Sequence, residues 1–466
     1  MTEFNDLVRP DKGEKAHLIH IVDEKTYDGW LKDQPPRVRA ALAAQQLQPK
    51  GYANAILPGE KHDDWAVVTV VANVESLSSW CLAKLPNALP AGTYRLANGT
   101  PGPAPFGWMI AQHRFDRYKK PDDKVDLGAR VLLTSEPGKV AGIAREAKAT
   151  ALVRDLVNTP AADMGPADLE AVAKAIAKAH DADLTVTADG DLAKHYPMIH
   201  AVGRAAGKKH APRLIEIEWG NPEHPRIAIV GKGVCFDSGG LDIKGASGMR
   251  LMKKDMGGAA HALALAQMII EARLPVRLHM LVAAVENAIS EDAFRPGDIL
   301  TSRKGLTVEI GNTDAEGRLV LGDALARASE DAPELMIDFA TLTGAARVAL
   351  GPDLPALFCD DDALAGDLIA AGTERDDPCW RMPLWDNYTE MLSSDIADIS
   401  NAADGGFAGS VTAALFLKKF VGENIAWAHF DTFAWQPTAK PGRPKGGAAL
   451  GLRAAWAMLN ARYPRN

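Results

Sequence analysis

Two segments of the chain combine charged side chains with glycines in patterns that could do chemistry. The first, residues 229–260, reads IVGKGVCFDSGGLDIK and, seven residues later, MKKDMGGAA; it carries Lys232, Asp237, Lys244 and Asp255. Its apolar start predicts a strand that ends at Val230, with the charged residues in the glycine-rich loop just past the strand's carboxyl end. Glycines there permit positive φ and a close approach of backbone.

The second segment, residues 311–319, reads GNTDAEGRL and follows another short predicted strand. Asp314 and Glu316 are two residues apart, so in extended backbone both carboxylates point to the same side. Taken alone, an Asp-x-Glu pair is typical of a solvated turn. A glycine-rich loop alone is typical of a tight turn between a strand and a helix.

Together the segments place four carboxylates at or near strand ends of one predicted sheet, on Asp237, Asp255, Asp314 and Glu316. Carboxylates held so close repel one another unless cations neutralise them. Two divalent ions about 3.5–4 Å apart, bridged by carboxylates, would remove that repulsion. Oxygen ligands without histidine favour manganese or magnesium over structural zinc, although spacing alone does not choose the ion.

The elements that must position these residues follow from the hydrophobic pattern. In the first part of the chain, residues 16–22, 65–74 and 130–134 are predicted strands, and the Pro- and Gly-rich residues 86–107 are predicted loop and turns. A helical pattern over residues 138–156 ends before Pro160, which cannot continue a helix. This helix is the expected connector between two domains.

Helix and strand patterns then alternate. Predicted helices cover residues 167–180, 249–273, 318–330 and 451–459, and predicted strands cover 214–219, 226–231, 276–285, 306–310, 335–340 and 426–431. Alternation predicts an α/β fold: a small N-terminal α/β domain, then a larger C-terminal domain with a mixed, largely parallel sheet and helices on both faces. Ligands in such folds collect at the carboxyl ends of the strands.

Composition narrows the class of protein. The chain has 466 residues, 47% of them hydrophobic, and a net charge of −8. Residues 1–150 hold 20 Lys and Arg against 18 Asp and Glu, so the acidic excess lies in the rest, where a cation site would need it. We expect no signal peptide, no membrane span and no nucleic-acid partner. Four cysteines without a CxxC pair indicate a reducing compartment, hence the cytoplasm.

The string Asn312-Thr-Asp-Ala-Glu-Gly-Arg318, preceded by the spaced lysines and aspartates of the first segment, resembles the leucyl (cytosol) aminopeptidase family. The likeness covers about residues 150–466 and is loose before that. It implies an exopeptidase that releases N-terminal amino acids from peptides with a free N-terminus. It also implies two divalent ions per subunit, Mn²⁺ or Zn²⁺, and a homohexamer arranged as a trimer of dimers. The corresponding domains are 1–136, a connecting helix 137–160, and a catalytic metallopeptidase domain 161–466.

The resemblance also implies the ligands of each ion. Lys232, Asp237, Asp255 and Glu316 would hold one ion, and Asp237, Asp314 and Glu316 the other. A lysine can bind a metal only when neutral, and two neighbouring dications would lower its pKa accordingly.

Further roles follow from the same resemblance. Lys244 matches a catalytic residue that stabilises the oxyanion, and Arg318 matches one that anchors a bicarbonate ion, which takes the proton from the metal-bridging water. Thr341, Leu342 and Gly344 match positions that bind the substrate backbone.

One segment departs from the family pattern. Relatives usually follow the WAH-x-D motif with small residues, which leave an apolar pocket for leucine, whereas here Phe433 and Trp435 follow it. If Phe433 projects towards Met252 and Gly344, it shortens the pocket and weakens the preference for leucine. Alternatively, both aromatic residues pack in the core beneath the sheet.

Three other interpretations stay open. Some members of the family also act as DNA-binding regulators, although the N-terminal charge shows no dense basic stripe. A catalytically inactive paralogue would not be expected to keep all seven metal and catalytic positions. A metal hydrolase of another class, such as a phosphatase, would use the carboxylates without reading a free amine.

Overall fold

The computed structural model describes residues 3–61, 64–120 and 128–465. The chain divides into two compact units, residues 1–151 with 438–444 and residues 152–437 with 445–466. Helix α4 (Val140–Asn158) runs from the first unit into the second, and the predicted domain limits at residues 136 and 160 lie on either side of it. The predicted α/β class, with a small N-terminal and a larger C-terminal domain, is confirmed.

The smaller unit contains a mixed sheet covered by short helices. Its elements are β1 (Val8–Pro10), β2 (His17–Val22), α1 (Tyr27–Lys32), α2 (Pro36–Ala44), β3 (Asn54–Pro58), β4 (Trp65–Val70), β5 (Gly92–Leu96), α3 (Pro105–Ile110) and β6 (Arg130–Thr134). In the described residues the sheet has six strands in the order β1-β6-β5-β2-β4-β3, parallel except where β3 meets β4.

The prediction of loop and turns over residues 86–107 is wrong in two places. Strand β5 lies between β2 and β6, and Tyr94 at its centre is fully buried. Helix α3 begins at Pro105, a position where the missing N–H of proline leaves no helical hydrogen bond unmade. Both elements are short and flanked by Pro and Gly, so composition concealed them.

The larger unit holds most of the elements. They are α5 (Pro166–His180), β7 (Asp183–Ala188), α6 (Asp189–His195), α7 (Pro197–Gly203), β8 (Arg213–Trp219), β9 (Arg226–Asp237), α8 (Ala246–Met249), α9 (Gly257–Ala272), β10 (Arg277–Asn287), β11 (Ile299–Thr301), β12 (Thr307–Glu309), α10 (Glu316–Glu330), β13 (Leu335–Ala340), α11 (Gly344–Leu350), β14 (Ala356–Phe358), α12 (Asp362–Glu374), β15 (Trp380–Met382), β16 (Ile399–Ser400), α13 (Gly409–Lys418), β17 (Ala426–Asp431), β18 (Trp435–Gln436), β19 (Gly446–Gly447) and α14 (Leu452–Arg462).

The main sheet of this unit has eight strands in the described residues, ordered β15-β14-β17-β13-β9-β10-β8-β7. The central strands β17, β13, β9 and β10 run parallel, so their carboxyl ends meet at one edge. Every residue of β13 is buried, as expected of a parallel strand covered on both faces.

The two faces of strand β9 pack against helices on opposite sides of the sheet. Ala228 and Val230 belong to the same buried cluster as Leu319 of α10. Gly231 points to the opposite face, where a Cβ would lie 2.7 Å from the Cα of Ala259 in α9. Helices therefore cover the sheet from both sides, with α10 on one face of β9 and α9 on the other.

The predicted helix over residues 249–273 is interrupted. Helix α8 ends at Met249, a 3₁₀ turn covers Met252–Met256, and α9 begins at Gly257. Burial explains the break, because Lys254 and Asp255 in the turn are both nearly inaccessible to solvent. Within the described part of the chain, no helix is both long and apolar enough to cross a lipid bilayer.

Candidate active site

A cavity of about 570 Å³ lies at the carboxyl ends of the central parallel strands. It is bordered by the end of β9, the 3₁₀ turn that follows, the start of α10 and the segments after β13 and β17. All seven charged residues predicted as metal ligands or catalytic groups line it, namely Lys232, Asp237, Lys244, Asp255, Asp314, Glu316 and Arg318. This is the position at which open α/β sheets bind ligands.

Strand β9 is longer than predicted, and it carries two of these residues itself. It continues to Asp237 instead of ending at Val230, so Lys232 and Asp237 lie on the strand and not in a loop. Its pairing with β10 shifts register between Val234 and Asp237, opposite Val285 and Asn287. Such an irregularity turns the side chain of Asp237 to a new direction at the strand end.

The Lys232 ammonium joins two carboxylates from different elements. Its Nζ lies 2.6 Å from Oδ2 of Asp255 in the 3₁₀ turn and 2.9 Å from Oε1 of Glu316 at the start of α10. All three side chains are at least 97% buried. Gly317 leaves room for the lysine, because a Cβ there would lie 2.6 Å from Nζ.

Lys244 makes a second bridge beside the first. Its Nζ lies 2.7 Å from Oδ2 of Asp237 and also contacts Oδ1 of Asp314. Asp314 is in a turn with about a third of its side chain exposed, so it does not share the deep position of Glu316. The two carboxylates of the Asp-x-Glu pair therefore contact different lysines.

Neighbouring groups fix the orientation of the buried aspartates. Oδ1 of Asp237 accepts hydrogen bonds from the side-chain amide of Asn287 and the backbone N–H of Gly239, both at 2.9 Å. Oδ1 of Asp255 accepts from Oγ1 of Thr341 at 2.8 Å and faces Nζ of Lys254 at 3.1 Å. The remaining oxygen of each aspartate is directed to a lysine.

Burial and charge act in opposite directions on the lysines. Burial alone would lower the pKa of Lys232, but the carboxylates of Asp255, Glu316 and Asp237 outweigh it and raise that pKa above its ordinary value. The same balance raises the pKa of Lys244, chiefly through Asp237. With these carboxylates as their only charged neighbours, both lysines are protonated ammonium ions.

The carboxylates are too crowded for all to ionise easily. Burial and the nearby Asp237 raise the pKa of Glu316 to about 8. Burial also raises the pKa of Asp314, with Asp237 adding to the effect. Asp255 behaves differently, because Lys232 and Lys254 overcome the effect of burial and lower its pKa.

The donor set fits divalent cations. Asp237, Asp255 and Glu316 each offer a carboxylate oxygen, and these three oxygens lie within 4.8 Å of one another. Oε2 of Glu316 is buried without a hydrogen-bond partner among the described residues, although a buried carboxylate oxygen normally has one. Carboxylate oxygens that converge in this way match the ligands of hard divalent ions.

Arg318 adds a positive charge to the cavity, and one of its N–H donors has no partner among the described residues. It is in the first turn of α10, and its Nη1 donates to the backbone oxygen of Asn401 at 2.7 Å. Nε is buried and has no partner in the described part of the chain. Burial lowers the pKa of Arg318 to about 10, so the guanidinium is charged at neutral pH and can receive an anion.

Thr341, Leu342 and Gly344 form the wall that follows β13. Asp431 at the end of β17 holds this wall in place, because its Oδ1 accepts from the backbone N–H of Leu342 at 3.0 Å and of Thr343 at 3.1 Å. Oγ1 of Thr343 donates to Oδ2 of the same aspartate at 2.6 Å. Three hydrogen bonds to one carboxylate thus fix the backbone of residues 342–343 at the cavity wall.

The two aromatic residues after β17 go to different places. Phe433 is half-buried and lines the cavity together with Met252 and Gly344. Trp435 is 8% exposed on β18, and it is not part of the described cavity lining. The structure thus brings Phe433 to the predicted pocket and leaves Trp435 in the core.

Sequence reasoning assigned no role to several residues that shape this site. Asn287 orients Asp237, Asp431 orders the wall after β13, and Lys254 and Arg347 add positive charge to the lining. Of these residues, Asp431 could have been found from sequence, because an acidic residue at the end of a buried strand is a candidate for a site at the edge of the sheet. Nothing in the sequence around Arg347 indicates a cavity.

Comparison with protein families places these observations among known proteins. Residues 151–455 match the profile of the cytosol aminopeptidase family, catalytic domain, and residues 18–132 match that of the M17 aminopeptidase N-terminal domain. The second match extends the likeness to the N-terminal part, which the sequence motifs alone related only loosely to this family.

Individual relatives of the chain are named as members of the same family. The chain is 42% identical to a probable cytosol aminopeptidase of Roseiflexus castenholzii over 362 residues, which are 74% of this chain and 73% of that protein. A probable cytosol aminopeptidase of Syntrophotalea carbinolica is 41% identical over 74% of this chain and 72% of its own length.

Solved structures resemble the fold over nearly its full length. The crystal structure of cytosol aminopeptidase from Coxiella burnetii has a TM-score of 0.91 and 42% identity, covering 98% of this chain and all of that one. The bottromycin maturation enzyme BotP in complex with Mn has a TM-score of 0.82 and 29% identity, covering 96% of this chain and all of that one.

Proposed function

The chain belongs to the cytosol aminopeptidase family and is an aminopeptidase, and we propose that it releases N-terminal amino acids from peptides with the help of two divalent ions, Mn²⁺ or Zn²⁺, per subunit. The observation that carries this proposal is the cluster of buried carboxylates on Asp237, Asp255 and Glu316, whose oxygens lie within 4.8 Å of one another. BotP, which has a similar fold, has been solved in complex with Mn, and this supports metal binding here.

The ligand sets are those that the family resemblance implies. Lys232, Asp237, Asp255 and Glu316 would hold one ion, while Asp237, Asp314 and Glu316 would hold the other. Such a pair supplies Lewis-acid polarisation of a carbonyl and an activated water. Lys232 must lose its proton to serve as a ligand. Its present contacts with Asp255 and Glu316, at 2.6 and 2.9 Å, place its nitrogen where it could replace a carboxylate contact by a metal contact.

Lys244 would stabilise the oxyanion of the tetrahedral intermediate. Its ammonium lies at the cavity with 15% of the side chain exposed, between Asp237 and Asp314. Once those carboxylates are neutralised by other cations, the ammonium can donate to a substrate oxygen. A preorganised donor of this kind is among the largest contributions to catalysis in hydrolases.

We assign Arg318 to a bicarbonate ion, which would take the proton from the attacking water in place of a side-chain base. The unpartnered Nε and the charged guanidinium support this assignment. The contact of Nη1 with the backbone oxygen of Asn401 fixes the plane of the group. An anion bound in that plane would receive two donors from one side chain.

The remaining residues of the cavity would position the peptide. Thr341, Leu342 and Gly344 would bind its backbone, and Asp431 would hold their segment in place through the amide groups of 342 and 343. A free α-amine can contact Asp255, so only chain ends would be accepted. Met252 and Phe433 would border the first side chain.

The cellular location and the oligomeric state of the enzyme are also proposals. All four cysteines are buried and free, as expected in a reducing compartment, and we place the protein in the cytoplasm. A homohexamer rests on the family resemblance, and sedimentation equilibrium would test it. No feature of the described residues supports a DNA-binding role.

A blocked peptide tests the proposed function. The enzyme with Mn²⁺ should release leucine from a leucyl tripeptide and should leave the N-acetylated form of the same peptide intact, which mass spectrometry of the products would reveal. The acetyl group removes the amine and little else. Hydrolysis of both peptides at similar rates would contradict an aminopeptidase mechanism and favour a metal hydrolase of another class.

A further inference from the structure

The guanidinium of Arg347 borders the cavity at its solvent side, against the ring of Phe433. Arg347 is on the first turn of α11, and its Cζ is 4.7 Å from the centroid of that ring. Its Nη2 is 3.9 Å from the point at which a Cβ on Gly344 would lie. The side chain therefore extends back over the wall that follows β13, between the backbone groups proposed to bind peptide and the aromatic residue.

Arg347 is exposed, and no acidic side chain of the described residues pairs with it. Within residues 3–61, 64–120 and 128–465, no carboxylate oxygen lies within 4.0 Å of the Arg347 nitrogens. Asp431, which also lines the cavity, is already satisfied by the amides of Leu342 and Thr343 and by the Thr343 hydroxyl. Arg347 is partly open to solvent, and its guanidinium lies against the ring of Phe433 without an ion-pair partner among the described residues.

The acidic groups deeper in the cavity do not compensate for it either. Asp255 and Glu316 are held by Lys232, and Asp237 and Asp314 by Lys244. Each of these carboxylates would also be a ligand of a divalent ion, which would reduce its charge further.

A second cation borders the same ring. Nζ of Lys254 lies 5.8 Å from the centroid of Phe433, on a side chain that is 7% exposed. Stacking on a ring holds a guanidinium by its face and leaves its in-plane N–H groups free, and these match the two oxygens of a carboxylate. Lys254 is paired with Asp255 at 3.1 Å, so Arg347 is the cation beside Phe433 that is left to receive an anion.

We propose that Arg347, supported by Phe433, binds the side-chain carboxylate of the N-terminal residue, so that the enzyme prefers peptides that begin with glutamate or aspartate over their amide counterparts. This inference rests on the proposed function, since it takes Met252, Gly344 and Phe433 as the border of the pocket for that residue. It names the substrate class of the site and makes Arg347 the residue that determines specificity.

Glutamyl and glutaminyl p-nitroanilides test the proposal, because they have the same shape and differ in one charge. In the wild-type enzyme with Mn²⁺, kcat/KM for the glutamyl substrate should exceed that for the glutaminyl substrate by about tenfold. Arg347→Met should bring the ratio close to one. Arg347→Lys should keep part of the preference, since it keeps the charge and loses the fork.

A matched control removes an arginine elsewhere. Arg295 is exposed, pairs with Asp298 at 3.7 Å and does not line the cavity. Arg295→Met should leave the glutamyl-to-glutaminyl ratio unchanged, which separates contact with the substrate from a change in total charge. An equal loss of the preference in both variants would overturn the assignment of Arg347.

The carboxylate at the far end of a dipeptide is the other group that Arg347 could meet. Leucyl-glycine and leucyl-glycinamide distinguish this case, because they differ only there. If Arg347→Met impairs leucyl-glycine selectively and leaves the glutamyl-to-glutaminyl ratio as it was, the proposal is wrong. It is also wrong if the wild-type enzyme does not prefer the glutamyl substrate.

A binding measurement separates this inference from the proposed function. Calorimetry of L-glutamate and L-glutamine with the Mn²⁺-loaded protein needs no turnover. Glutamate should bind about tenfold more tightly to the wild-type protein and equally to Arg347→Met. An inactive protein with this binding pattern would refute the proposed function and uphold the role of Arg347, whereas equal binding by the wild-type protein would overturn that role.

Discussion

Lys232 and Lys244 each lie between two carboxylates, and this pairing determines what a substitution in the cavity should do. A group that holds a metal ion and a group that only acts on the substrate have different neighbours. Glu316 is 1% exposed and contacts Lys232, whereas Lys244 is at the surface of the cavity. Removing Glu316 should therefore change the ion content, and removing Lys244 should change the rate.

Lys244→Ala and Arg318→Ala should fold and bind metal, and their kcat should fall by about 10²–10³, the usual effect of losing one oxyanion donor. Glu316→Gln should instead lower the number of bound ions, because a bridging carboxylate is lost. Rates and metal content measured on the same samples would distinguish the two classes. Wild-type turnover in Lys244→Ala would remove that lysine from the mechanism.

Phe433→Ala should change which side chain the pocket accepts. Phe433 shares the cavity lining with Met252 and Gly344, so its ring takes space that a leucine side chain would need. The wild-type enzyme should favour leucine less than the family name suggests, and the variant should gain leucyl over alanyl activity. Hydrophobic pockets discriminate by roughly 1–3 kcal/mol per methylene, so the shift should be about tenfold or more.

Values of kcat/KM for leucyl, alanyl, methionyl and phenylalanyl amides would measure this change. Arg295→Met, at an exposed residue outside the cavity lining, is the control and should keep the wild-type preference. A strong leucine preference in the wild-type enzyme, unchanged in Phe433→Ala, would contradict a shortened pocket and leave the aminopeptidase assignment intact.

The charged residues of the site could be predicted from sequence because each of them is in one of two short, distinctive segments. Asn287 and Asp431 act on the site from β10 and β17, which are distant in sequence. Arg347 is separated from Gly344 by a single helical turn, and only the position of Phe433 makes it part of a pocket. Contacts of this kind depend on the fold and leave no local pattern.

At the scale of elements, the long buried strands and helices were predictable, and their irregularities were not. Strands over residues 335–340 and 426–431 have the predicted limits. The register shift in β9 and the 3₁₀ turn before α9 were not foreseen, because both depend on where Asp237 and Asp255 must point. An apolar pattern alone continues the strand or helix through such points.

Gly258→Ala should destabilise the larger unit, since α9 approaches the sheet at this residue. A Cβ there would lie 2.1 Å from the backbone oxygen of Phe339 and 2.8 Å from the backbone nitrogen of Lys232. Backbone cannot move aside cheaply, so we expect a loss of about 3 kcal/mol in the free energy of unfolding. Urea unfolding would measure it.

Gly366→Ala is the matched control within the same unit. Gly366 is exposed on α12, and a Cβ added there would have no neighbouring atom within 4 Å, so alanine should raise the stability by up to about 1 kcal/mol. Equal unfolding midpoints for Gly258→Ala and the wild-type protein would mean that α9 does not pack closely on the sheet at Gly258.

His261 on α9 should make stability depend on pH. Its Nε2 accepts from the backbone N–H of Leu450 at 3.0 Å, and its Nδ1 lies 2.7 Å from the backbone oxygen of Gly257, so the neutral ring fits. Burial lowers its pKa from 6.5 to about 4. Above pH 6.5 neither the folded nor the unfolded chain protonates it, and its contribution to stability is complete.

As the pH falls from 6.5 to 4, the unfolded chain takes up a proton that the folded chain does not, so stability is lost by about 3 kcal/mol in this window. His261→Gln should flatten the pH dependence of unfolding there, measured by urea titrations at pH 7, 6, 5 and 4. His195→Gln, at an exposed histidine, is the control and should follow the wild-type slope. An unchanged slope in His261→Gln would contradict a neutral buried ring.

At the scale of the whole molecule, the described lining of the cavity comes from the larger unit alone, between residues 232 and 433. Residues 18–132 and 151–455 match the N-terminal and catalytic domain profiles of the same family.

Of the carboxylates, Asp237 ends a strand of the main sheet, whereas Asp314 and Glu316 follow β12, which lies in a separate sheet with β11 and β16. The expectation that all four lie at or near strand ends of one sheet is therefore wrong. They nevertheless meet in one cavity, and the dependence of their chemistry on divalent ions is the central claim about this protein.

The most direct test of that claim is the rate of leucyl-amide hydrolysis as a function of divalent ions bound per chain. Chelation should abolish activity, and added Mn²⁺ or Zn²⁺ should restore it, with the full rate reached at two ions per chain by elemental analysis. Buried carboxylates that lie this close repel one another, and two divalent ions would neutralise that repulsion and activate a water. Full activity in protein that elemental analysis finds free of metal would contradict the account.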